Sequence, residues 1–439
     1  MKRIVTMLLA VALLVSALSV YATTAMVGDV NGDGAVNNRD MGALQRLLND
    51  WTVAVDGSAD VDGNGAVNNR DMGCLHRLLN GGKKETRAAV VTDYTDLGAP
   101  AAEYYDALRA RCAWDMILHD GRLYVGSGDY DWNTGGAAVL SCPLDDVGNW
   151  TKEATLPDEQ VGRFIDYNGV LTIPGFDPVG ETPVGTYYEK IGGRWQTVDT
   201  LPYALHNFDL LWFEGQLFAS VGAPGDQSPV VVTDDGVNYR GIPMYKDGEP
   251  LDLEKNGVAR SMNLYLLDGI IYADFWYQNT TLQRSVFEMY RYDSEKEILE
   301  FVADMKQSTH GGLYSPAGLP LWEKEVLGDK MFLTTGYLYY TTDFEQYTEV
   351  AMPNDAVVYD IMEHDGRLYI LAATGGTQYR TTIYSVSADD PTALRTEASF
   401  GYRLPPTSFA VDADNFFVGM GNWYNNGTIG NGTILQMER

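Results

Sequence analysis

Cysteine and positive charge are both scarce in this chain. Three cysteines occur among 439 residues, so disulfides are not expected to be the main source of stability. Cys74 fits a small buried apolar position, and Cys112 and Cys142 either pair or remain free thiols. Lysine and arginine number 31 against 60 acidic residues, which gives a formal charge of -29. A surface of that sign excludes nucleic acid as a partner.

Long apolar runs are also lacking, except at the N-terminus. There a basic start is followed by an apolar run over residues 4–20, which closes on the small residue Ala22. This pattern predicts a secretory signal peptide over residues 1–22. No later stretch approaches the length that a bilayer requires. We therefore expect a secreted, extracellular protein with no membrane partner.

A repeat near the N-terminus carries the clearest chemical pattern. Residues 29–40 recur, 31 positions later, as residues 60–71. Both copies have oxygen-bearing side chains at loop positions 1, 3, 5, 9 and 12 and glycine at position 6, which is the spacing of EF-hand calcium loops. The predicted calcium ligands are Asp29, Asn31, Asp33, Asn37 and Asp40, then Asp60, Asp62, Asn64, Asn68 and Asp71. We expect two bound calcium ions and a segment that folds when they bind.

Each loop leads into a predicted helix whose methionine and leucine residues form one apolar face. In the first repeat these residues are Met41, Leu44, Leu47 and Leu48. The duplicated loop and helix, with Asp at position 12 and no helix before the first loop, resemble a type I dockerin over residues 28–80. The resemblance implies calcium-dependent binding to a cohesin module of a scaffoldin, and so a place in a cellulosome-type assembly.

In the dockerin family, loop positions 10 and 11 and the helix behind them contact cohesin. The corresponding residues here are Asn38, Arg39, Asn69, Arg70, Arg46 and Arg77. Both repeats present the same Asn-Arg pair at positions 10 and 11. A half-turn of the module would therefore offer nearly the same surface twice, and two binding orientations are expected.

Beyond a linker over residues 81–92, a turn followed by an apolar strand recurs seven times within residues 93–439. The first copy is at residues 119–125 and the last at 413–417. The period, roughly 45 to 60 residues, resembles that of Kelch and other seven-bladed propellers. A second recurring segment, such as residues 150–157, follows every copy of the turn and strand except the last. Residues 94–100 resemble this second segment and stand ahead of the first copy. We expect an N-terminal strand to complete the C-terminal blade and close the ring.

The predicted fold is therefore an all-β seven-bladed β-propeller preceded by a small, α-helical, EF-hand-like dockerin. Six residues before each turn, on the strand expected to line the central channel, all seven copies have a polar residue. These residues are Asp115, Arg163, Asp209, Asn263, Glu323, Asp360 and Ser408. The four acids are candidate catalytic residues for glycoside hydrolysis, and the other three are candidate substrate-binding residues. Alternatively, the ring only lines a water-filled channel.

Long connections expected at the same face of the propeller carry aromatic residues. Flat rings with polar neighbours suit the faces of sugar rings, and a few convergent polar groups in a concave site mark a binding location. The candidate substrate-binding residues there are Trp132, Trp276, Trp423 and His206. Three hypotheses remain open at this point: a polysaccharide-active enzyme, either a glycoside hydrolase acting on O-glycosyl bonds or a polysaccharide lyase; a noncatalytic carbohydrate- or protein-binding propeller; and an architectural subunit. The dockerin favours the first by association.

Overall fold

The structure, a computed structural model, divides the chain into two compact units, Met1–Ala89 and Val90–Arg439. It describes residues 28–31, 36–48, 59–61, 67, 71–72, 75, 79, 92–129, 134–180, 185–204, 206–253, 259–279, 284–305, 323–334, 336–375, 378–422 and 430–439. The predicted signal peptide, Cys74 and all but the last residue of the predicted linker lie outside these residues. Within the described ranges, no helix is long and apolar enough to cross a membrane.

The first unit contains helix α1 (Asn38–Leu48), which begins at position 10 of the first predicted calcium loop. Its leucine and methionine residues pack together as the sequence predicts, and Leu44 is fully buried. The described residues of the second repeat join the same core through Leu75, which is also helical and fully buried. The two repeats therefore share one small apolar core.

The second unit is built of β-strands. It begins with the short strand β1 (Thr95–Asp96). Among the described residues, the only helical segments in this unit are the 3-10 turns Pro100–Glu103, Leu108–Arg111 and Pro353–Asp355. Five four-stranded antiparallel sheets, which we name blades A to E, account for most of the other strands.

The bounds of these strands are as follows. Blade A contains β2 (Asp115–His119), β3 (Arg122–Gly126), β4 (Ala137–Pro143) and β5 (Thr151–Leu156). Blade B contains β6 (Ile165–Tyr167), β7 (Val170–Pro174), β8 (Gly185–Ile191) and β9 (Arg194–Leu201).

An eleven-stranded sheet follows blade B in the chain. Its strands are β10 (His206–Phe213), β11 (Gln216–Ala223), β12 (Val230–Thr233), β13 (Arg240–Gly241), β14 (Met244–Lys246), β15 (Glu249–Pro250), β16 (Ala259–Arg260), β17 (Leu264–Leu267), β18 (Ile270–Asn279), β19 (Arg284–Asp293) and β20 (Ile298–Asp304). Two antiparallel meanders, β10–β13 and β17–β20, lie within it, and β16 joins them by pairing with both β11 and β18.

The remaining blades complete the chain. Blade C contains β21 (Glu323–Leu327), β22 (Lys330–Thr334), β23 (Leu338–Thr341) and β24 (Thr348–Val350). Blade D contains β25 (Val357–His364), β26 (Arg367–Thr374), β27 (Tyr379–Ser387) and β28 (Arg395–Tyr402). Blade E contains β29 (Pro406–Val411), β30 (Asn415–Met420), β31 (Thr433–Glu438) and the N-terminal strand β1.

The pairing of β1 with β31 confirms that an N-terminal strand completes the C-terminal blade. Thr95 lies opposite Gln436, and Asp96 lies opposite Leu435, in antiparallel register. This pairing covers the edge that β31 would otherwise expose. The arrangement is a β-propeller, with five separate blades and the eleven-stranded sheet in the described part of the chain.

The recurring turn phrase forms the hairpin between the first two strands of a sheet. At residues 120–121 both central residues have positive φ, 46° for Asp120 and 69° for Gly121, as a type I′ turn requires. Asn168 and Gly169 repeat this conformation between β6 and β7. The turn matches the right-handed twist of the flanking strands, so the phrase sets the register of each hairpin.

Apolar clusters fill the interfaces between consecutive sheets, including the interface of blade E with blade A. The second strands have neighbours on both faces and are almost continuously buried, as in β26. The fourth strands face solvent and are mostly exposed or half-buried, as in β9. Cys112 and Cys142 are buried free thiols, so burial and not a disulfide stabilises this region.

Candidate functional site

The first calcium loop of the N-terminal unit is organised around Asp40, at position 12. Its carboxylate is fully buried and accepts hydrogen bonds from the backbone N–H groups of Asn31, at 3.1 Å, and Asn37, at 2.8 Å. The Asn37 side chain in turn accepts one from the N–H of Arg39, at 2.9 Å. These bonds fold the loop back on the start of α1, as an EF-hand-type loop requires.

The donors of both loops fit calcium. Asp29, Asp40 and Asp71 are all buried although they are acidic, and clustered buried carboxylates are stabilised by a cation. Every predicted ligand side chain offers oxygen, which hard cations such as Ca²⁺ prefer. Arg39 is exposed, as a cohesin contact should be. The side chains of the other five predicted cohesin contacts, and Asp33, Asp62, Asn64 and Asn68, lie outside the described residues.

In the propeller, the first strands of successive sheets bring the predicted polar ring together. The guanidinium of Arg163 donates to the side-chain oxygen of Asn263, at 2.9 Å, and lies 3.2 Å from the carboxylate of Asp209. Lys324 also pairs with Asp209 and donates to the carbonyl of Leu264. These four side chains come from blade B, the eleven-stranded sheet and blade C, so the ion-paired group forms only when these three neighbouring sheets pack together.

Two of the ring acids connect neighbouring four-strand units, either blades or meanders, through backbone hydrogen bonds. Asp115 accepts the N–H of Met116, at 2.7 Å, and the N–H of Phe164 in front of blade B, at 2.6 Å. Asp209 repeats the pattern with Leu210, at 3.1 Å, and Leu264, at 2.9 Å. Each carboxylate satisfies one N–H in its own strand and one in the next meander. Both acids therefore have a structural role in the ring, independent of any catalytic role.

Ser408 and Asp360 make fewer such bonds. The hydroxyl of Ser408 donates to the carbonyl of Ala113, at 2.8 Å, and so connects blade E to blade A. Asp360 accepts the N–H of Ile361, at 2.7 Å, through one of its two oxygens. Within the described part of the chain, the carboxylate of Glu323 accepts no hydrogen bond.

The ring acids differ in electrostatic environment. Burial, and then the charge of Glu323, raise the pKa of Asp115 to about 7. Burial, followed by Glu323 and Asp115, raises the pKa of Asp360 well above its usual range, and burial raises that of Glu323 as well. Burial also acts to raise the pKa of Asp209, but Lys324 and Arg163 outweigh it and hold that pKa low. The ring therefore combines carboxyl groups whose pKa is raised with a carboxylate whose pKa is lowered, which is the pattern of an acid and base set.

Access to the ring is uneven. Asp115 and Glu323 are half-buried, whereas the other five ring residues are at most 7% exposed. Trp114 and Phe208, which directly precede Asp115 and Asp209, form an apolar cluster with Phe176. Apolar packing therefore adjoins Asp115 and Asp209 along their strands.

The predicted aromatic platforms are more buried than expected. His206 is 7% exposed, stacks on Phe208 and has its Nδ1 atom 3.0 Å from the carbonyl of Phe176. Burial, and then the charge of Arg260, lower the pKa of His206 to about 4, so its imidazole is neutral at pH 7. His206 therefore packs within the fold and offers a ligand little surface.

Trp276 is half-buried, and Arg260 lies 5.3 Å above its indole ring. Because one face of the indole is covered by this cation, Trp276 differs from the solvent-facing platform that the sequence suggests. Trp132 and Trp423 lie outside the described residues.

Three site residues were not apparent in the sequence. Lys324 neutralises Asp209. Asp274 holds Asn263 in place: its carboxylate accepts hydrogen bonds from the backbone N–H of Asn263, at 3.1 Å, and from the side-chain amide of Asn263, at 2.9 Å. Burial, followed by Glu323 and Glu363, raises the pKa of Glu325 to about 8. The sequence signal for Lys324 and Glu325 was the run of three charged residues at 323–325. The first strands of the other copies are mostly apolar at the positions after the ring residue.

Comparisons with known proteins identify the first unit. Residues 27–80 match the family model described as Dockerin type I domain, and type I dockerins bind calcium. No curated protein sequence matches the chain.

Solved structures similar to the chain include Sqt1 of Saccharomyces cerevisiae, at 9% identity and a TM-score of 0.45, covering 80% of this chain and 99% of that one. They also include the β-propeller domain of the Trilobed protease from Pyrococcus furiosus, at 12% identity and a TM-score of 0.40, covering 72% and 95%. The polysaccharide lyase Uly1 is a third, at 7% identity and a TM-score of 0.43, covering 80% and 97%. At these scores the similarities do not bear on function.

Proposed function

We propose that this protein is a secreted subunit of a cellulosome-type assembly, attached through its dockerin to a cohesin, whose propeller binds and cleaves plant polysaccharide at the central channel. The dockerin match supports the attachment. The observation that carries the second part is a ring of acids in contrasting environments: the pKa of Asp360 is raised well above its usual range, whereas burial raises the pKa of Glu323 but Arg163 and Lys324 act to lower it. Glycoside hydrolysis needs a protonated acid and an ionised base in one site.

The calcium ions supply the charge that lets the acidic loops fold around them. The first ion would be held by the predicted ligands of residues 29–40 and the second by those of residues 60–71. Arg39 and Arg70 then present the same chemistry on the two repeats, which supports two orientations on cohesin.

We further propose that the propeller has seven blades. Each meander of the eleven-stranded sheet, β10–β13 and β17–β20, has the four-strand order of a separate blade. An apolar cluster lies between the two meanders, as one does between every other pair of neighbouring sheets. Strand β16 would then be a bridge between two blades of one ring.

Within the ring, Glu323 and Asp360 are the acids most available for chemistry. Both oxygens of Asp115 and of Asp209 already accept backbone N–H groups. Asp360 has one oxygen outside such bonds, and its raised pKa suits a proton donor to the leaving sugar oxygen. Burial raises the pKa of Glu323, but the cations Arg163 and Lys324 oppose that rise, so Glu323 in its ionised form is placed to accept the proton of the attacking water.

The test is a screen of the full chain on plant polysaccharides, with separate readouts for reducing ends and for unsaturated products. We expect new reducing ends without unsaturation, and we expect Glu323→Gln and Asp360→Asn each to reduce turnover by about a hundredfold or more, since an amide cannot exchange the proton. Glu300→Gln, on an outer strand, is the matched control and should retain activity. Unsaturated products would instead identify a lyase, and undiminished turnover in both amide variants would exclude these acids.

A noncatalytic propeller is the second candidate, and one observation favours it. Asp115, Asp209, Arg163 and Ser408 are all engaged in contacts between sheets, and Trp114 lies within an apolar cluster beside them. On this alternative the ring maintains the fold, and the module binds carbohydrate or protein without turnover. Saturable binding with no product from any polysaccharide in the screen would select it.

A further inference from the structure

A second concave site lies between blade B and the β10–β13 meander. It is a cavity of about 320 Å³, near the lower end of the roughly 300–1,000 Å³ that is typical of ligand pockets. Blade B contributes Tyr187, Glu189 and Val198 to its walls, and the meander contributes Trp212 and Asp234 among others. We name it the side cavity.

The side cavity is separate from the polar ring. No residue of the ring is among those that line it. Its lining from β10 and the following turn is Trp212 and Gly215, three and six residues beyond Asp209 along the chain. At about 3.3 Å per residue along a strand, Trp212 is about 10 Å from Asp209 along the strand. A ligand in the side cavity therefore does not touch the ring acids.

An aromatic wall and acidic side chains give the cavity its chemistry. The indole of Trp212 stacks on Tyr167, with ring centroids 4.6 Å apart and planes inclined by 15°, so its orientation is set before any ligand arrives. Asp234 is exposed and is held by the side-chain amide of Gln216, at 2.6 Å. Glu189, on the opposite wall, is half-buried.

The charge of the lining selects between classes of ligand. Two carboxylates and no basic side chain occur among the described residues that line the cavity. The guanidinium of Arg240, 3.6 Å from Asp234, offsets part of that charge, so Glu189 is the carboxylate that disfavours an acidic sugar most. Both carboxylates accept hydrogen bonds from hydroxyl groups. Apolar side chains of Leu217 and Val198 complete the walls beside the indole. An aromatic plane with acceptors at its edges suits the apolar face and the hydroxyl edge of an uncharged sugar.

We propose that the side cavity binds one uncharged sugar residue of a plant polysaccharide, as a secondary binding site remote from the ring. The choice of polysaccharide as the ligand rests on the proposed function, whereas the preference for an uncharged ring rests on the lining alone. A site of this kind holds a chain on the propeller while another part of it occupies the channel, and it raises the effective concentration of substrate there.

The experiment is calorimetric titration of the full, calcium-loaded chain that carries Glu323→Gln, so that no sugar is consumed. The probes are gluco-, xylo- and manno-oligosaccharides, with an oligogalacturonate as the acidic comparator. We expect at least one uncharged probe to bind and Trp212→Ala to weaken its Kd by about tenfold or more. Because Trp212 also packs on Tyr167, Glu189→Gln is a second variant that preserves packing, and it should weaken Kd several-fold.

Trp195→Ala is the matched control, because Trp195 is a half-buried tryptophan of blade B that does not line the cavity. Its Kd should equal that of the parent. The proposal fails if no uncharged probe binds, if Trp212→Ala and Glu189→Gln leave Kd unchanged, if Trp195→Ala weakens binding equally, or if the oligogalacturonate binds more tightly. Binding that depends on Trp212, together with no turnover by the parent chain in the polysaccharide screen, would overturn only the catalytic proposal.

Discussion

Both units of this chain bring carboxylates close together, but they stabilise them in different ways. In the dockerin, the acids of the first loop lie within twelve consecutive residues, and their natural partner is a cation taken from solution. In the propeller, Asp209 is neutralised by Arg163 and Lys324 from other sheets. The first arrangement makes folding depend on a ligand, and the second makes it depend on the packing of neighbouring sheets.

The difference also separates binding from stability. Loss of a calcium ligand should abolish a partner interaction and leave the propeller intact. Loss of a ring acid should instead destabilise the propeller and leave cohesin binding unaffected. The following variants test these opposite expectations.

The largest effect is expected for Asp29→Ala combined with Asp33→Ala. Removing two carboxylates from one loop should reduce calcium binding and lower cohesin affinity by about a hundredfold or more, because the loop no longer folds. Calorimetry with a panel of cohesins, with and without calcium, measures this change. Thermal unfolding of the propeller in the same protein should be unchanged, and a parallel loss of propeller stability would contradict the separation of the two units.

Asp209→Ala should affect the propeller most. It leaves Lys324 without its carboxylate and removes the acceptor for the N–H groups of Leu210 and Leu264. Breaking a buried ion pair in this way costs about 3–5 kcal/mol of unfolding free energy, which urea denaturation of the full chain can measure. Asp226→Ala, at an exposed loop position, is the control and should change the unfolding free energy little. Equal stability of the two variants would mean that Asp209 does not hold the sheets together.

A smaller effect is expected from pH. The pKa of Glu325 is raised to about 8 and that of Asp115 to about 7 by burial and neighbouring acids. Between their ordinary values and these raised values the folded state binds more protons than the unfolded state, so stability falls as pH rises from about 4.5 to about 8. The melting temperature of the propeller should drop by a few degrees over that range.

Glu325→Gln should flatten this dependence, because the amide has no proton to lose. Glu300→Gln, at a partly exposed position beside Lys296, should leave the slope unchanged. A melting temperature that rises between pH 5 and pH 8 in the parent protein would contradict the protonated state of the cluster.

The smallest effect is expected for Arg39→Glu alone. If cohesin accepts two equivalent orientations, losing one halves the association constant, so Kd should weaken only about twofold. The double change with Arg70→Glu should remove both orientations and weaken binding far more. Equal losses in the single and double variants, measured by calorimetry, would show that only one orientation is used.

Much of the fold was predictable because its signals are local. The type I′ turns at residues 120–121 and 168–169 follow from short sequence phrases, and they mark where a first strand meets a second. The completion of blade E by β1 followed from counting phrases along the chain. The joining of two meanders by β16 did not, because a two-residue strand has no pattern of its own.

The site was predictable in position but not in chemistry. Five of the seven polar residues lie on first strands as expected, and Arg163 and Asn263 lie just before theirs, because strand phase repeats from copy to copy. The roles of its members depend on neighbours from other sheets. Nothing local to Asp209 indicates that Lys324 will neutralise it, and nothing local to His206 indicates that Phe208 will cover it.

The sequence by itself predicted the calcium ligands and determined the turns that join the first two strands of each sheet, because in both cases the interacting groups are close along the chain. Tertiary structure alone decided which acids have a raised pKa, how exposed the described tryptophans are and where the side cavity lies. Each of these depends on burial and on charges that approach from distant segments, and the free energy of a buried charge changes by several kcal/mol with such neighbours. Glu323 and Asp115 occupy equivalent positions at the start of their first strands. Of the two, only Asp115 accepts hydrogen bonds from backbone N–H groups, and one of these comes from Phe164 of the next blade.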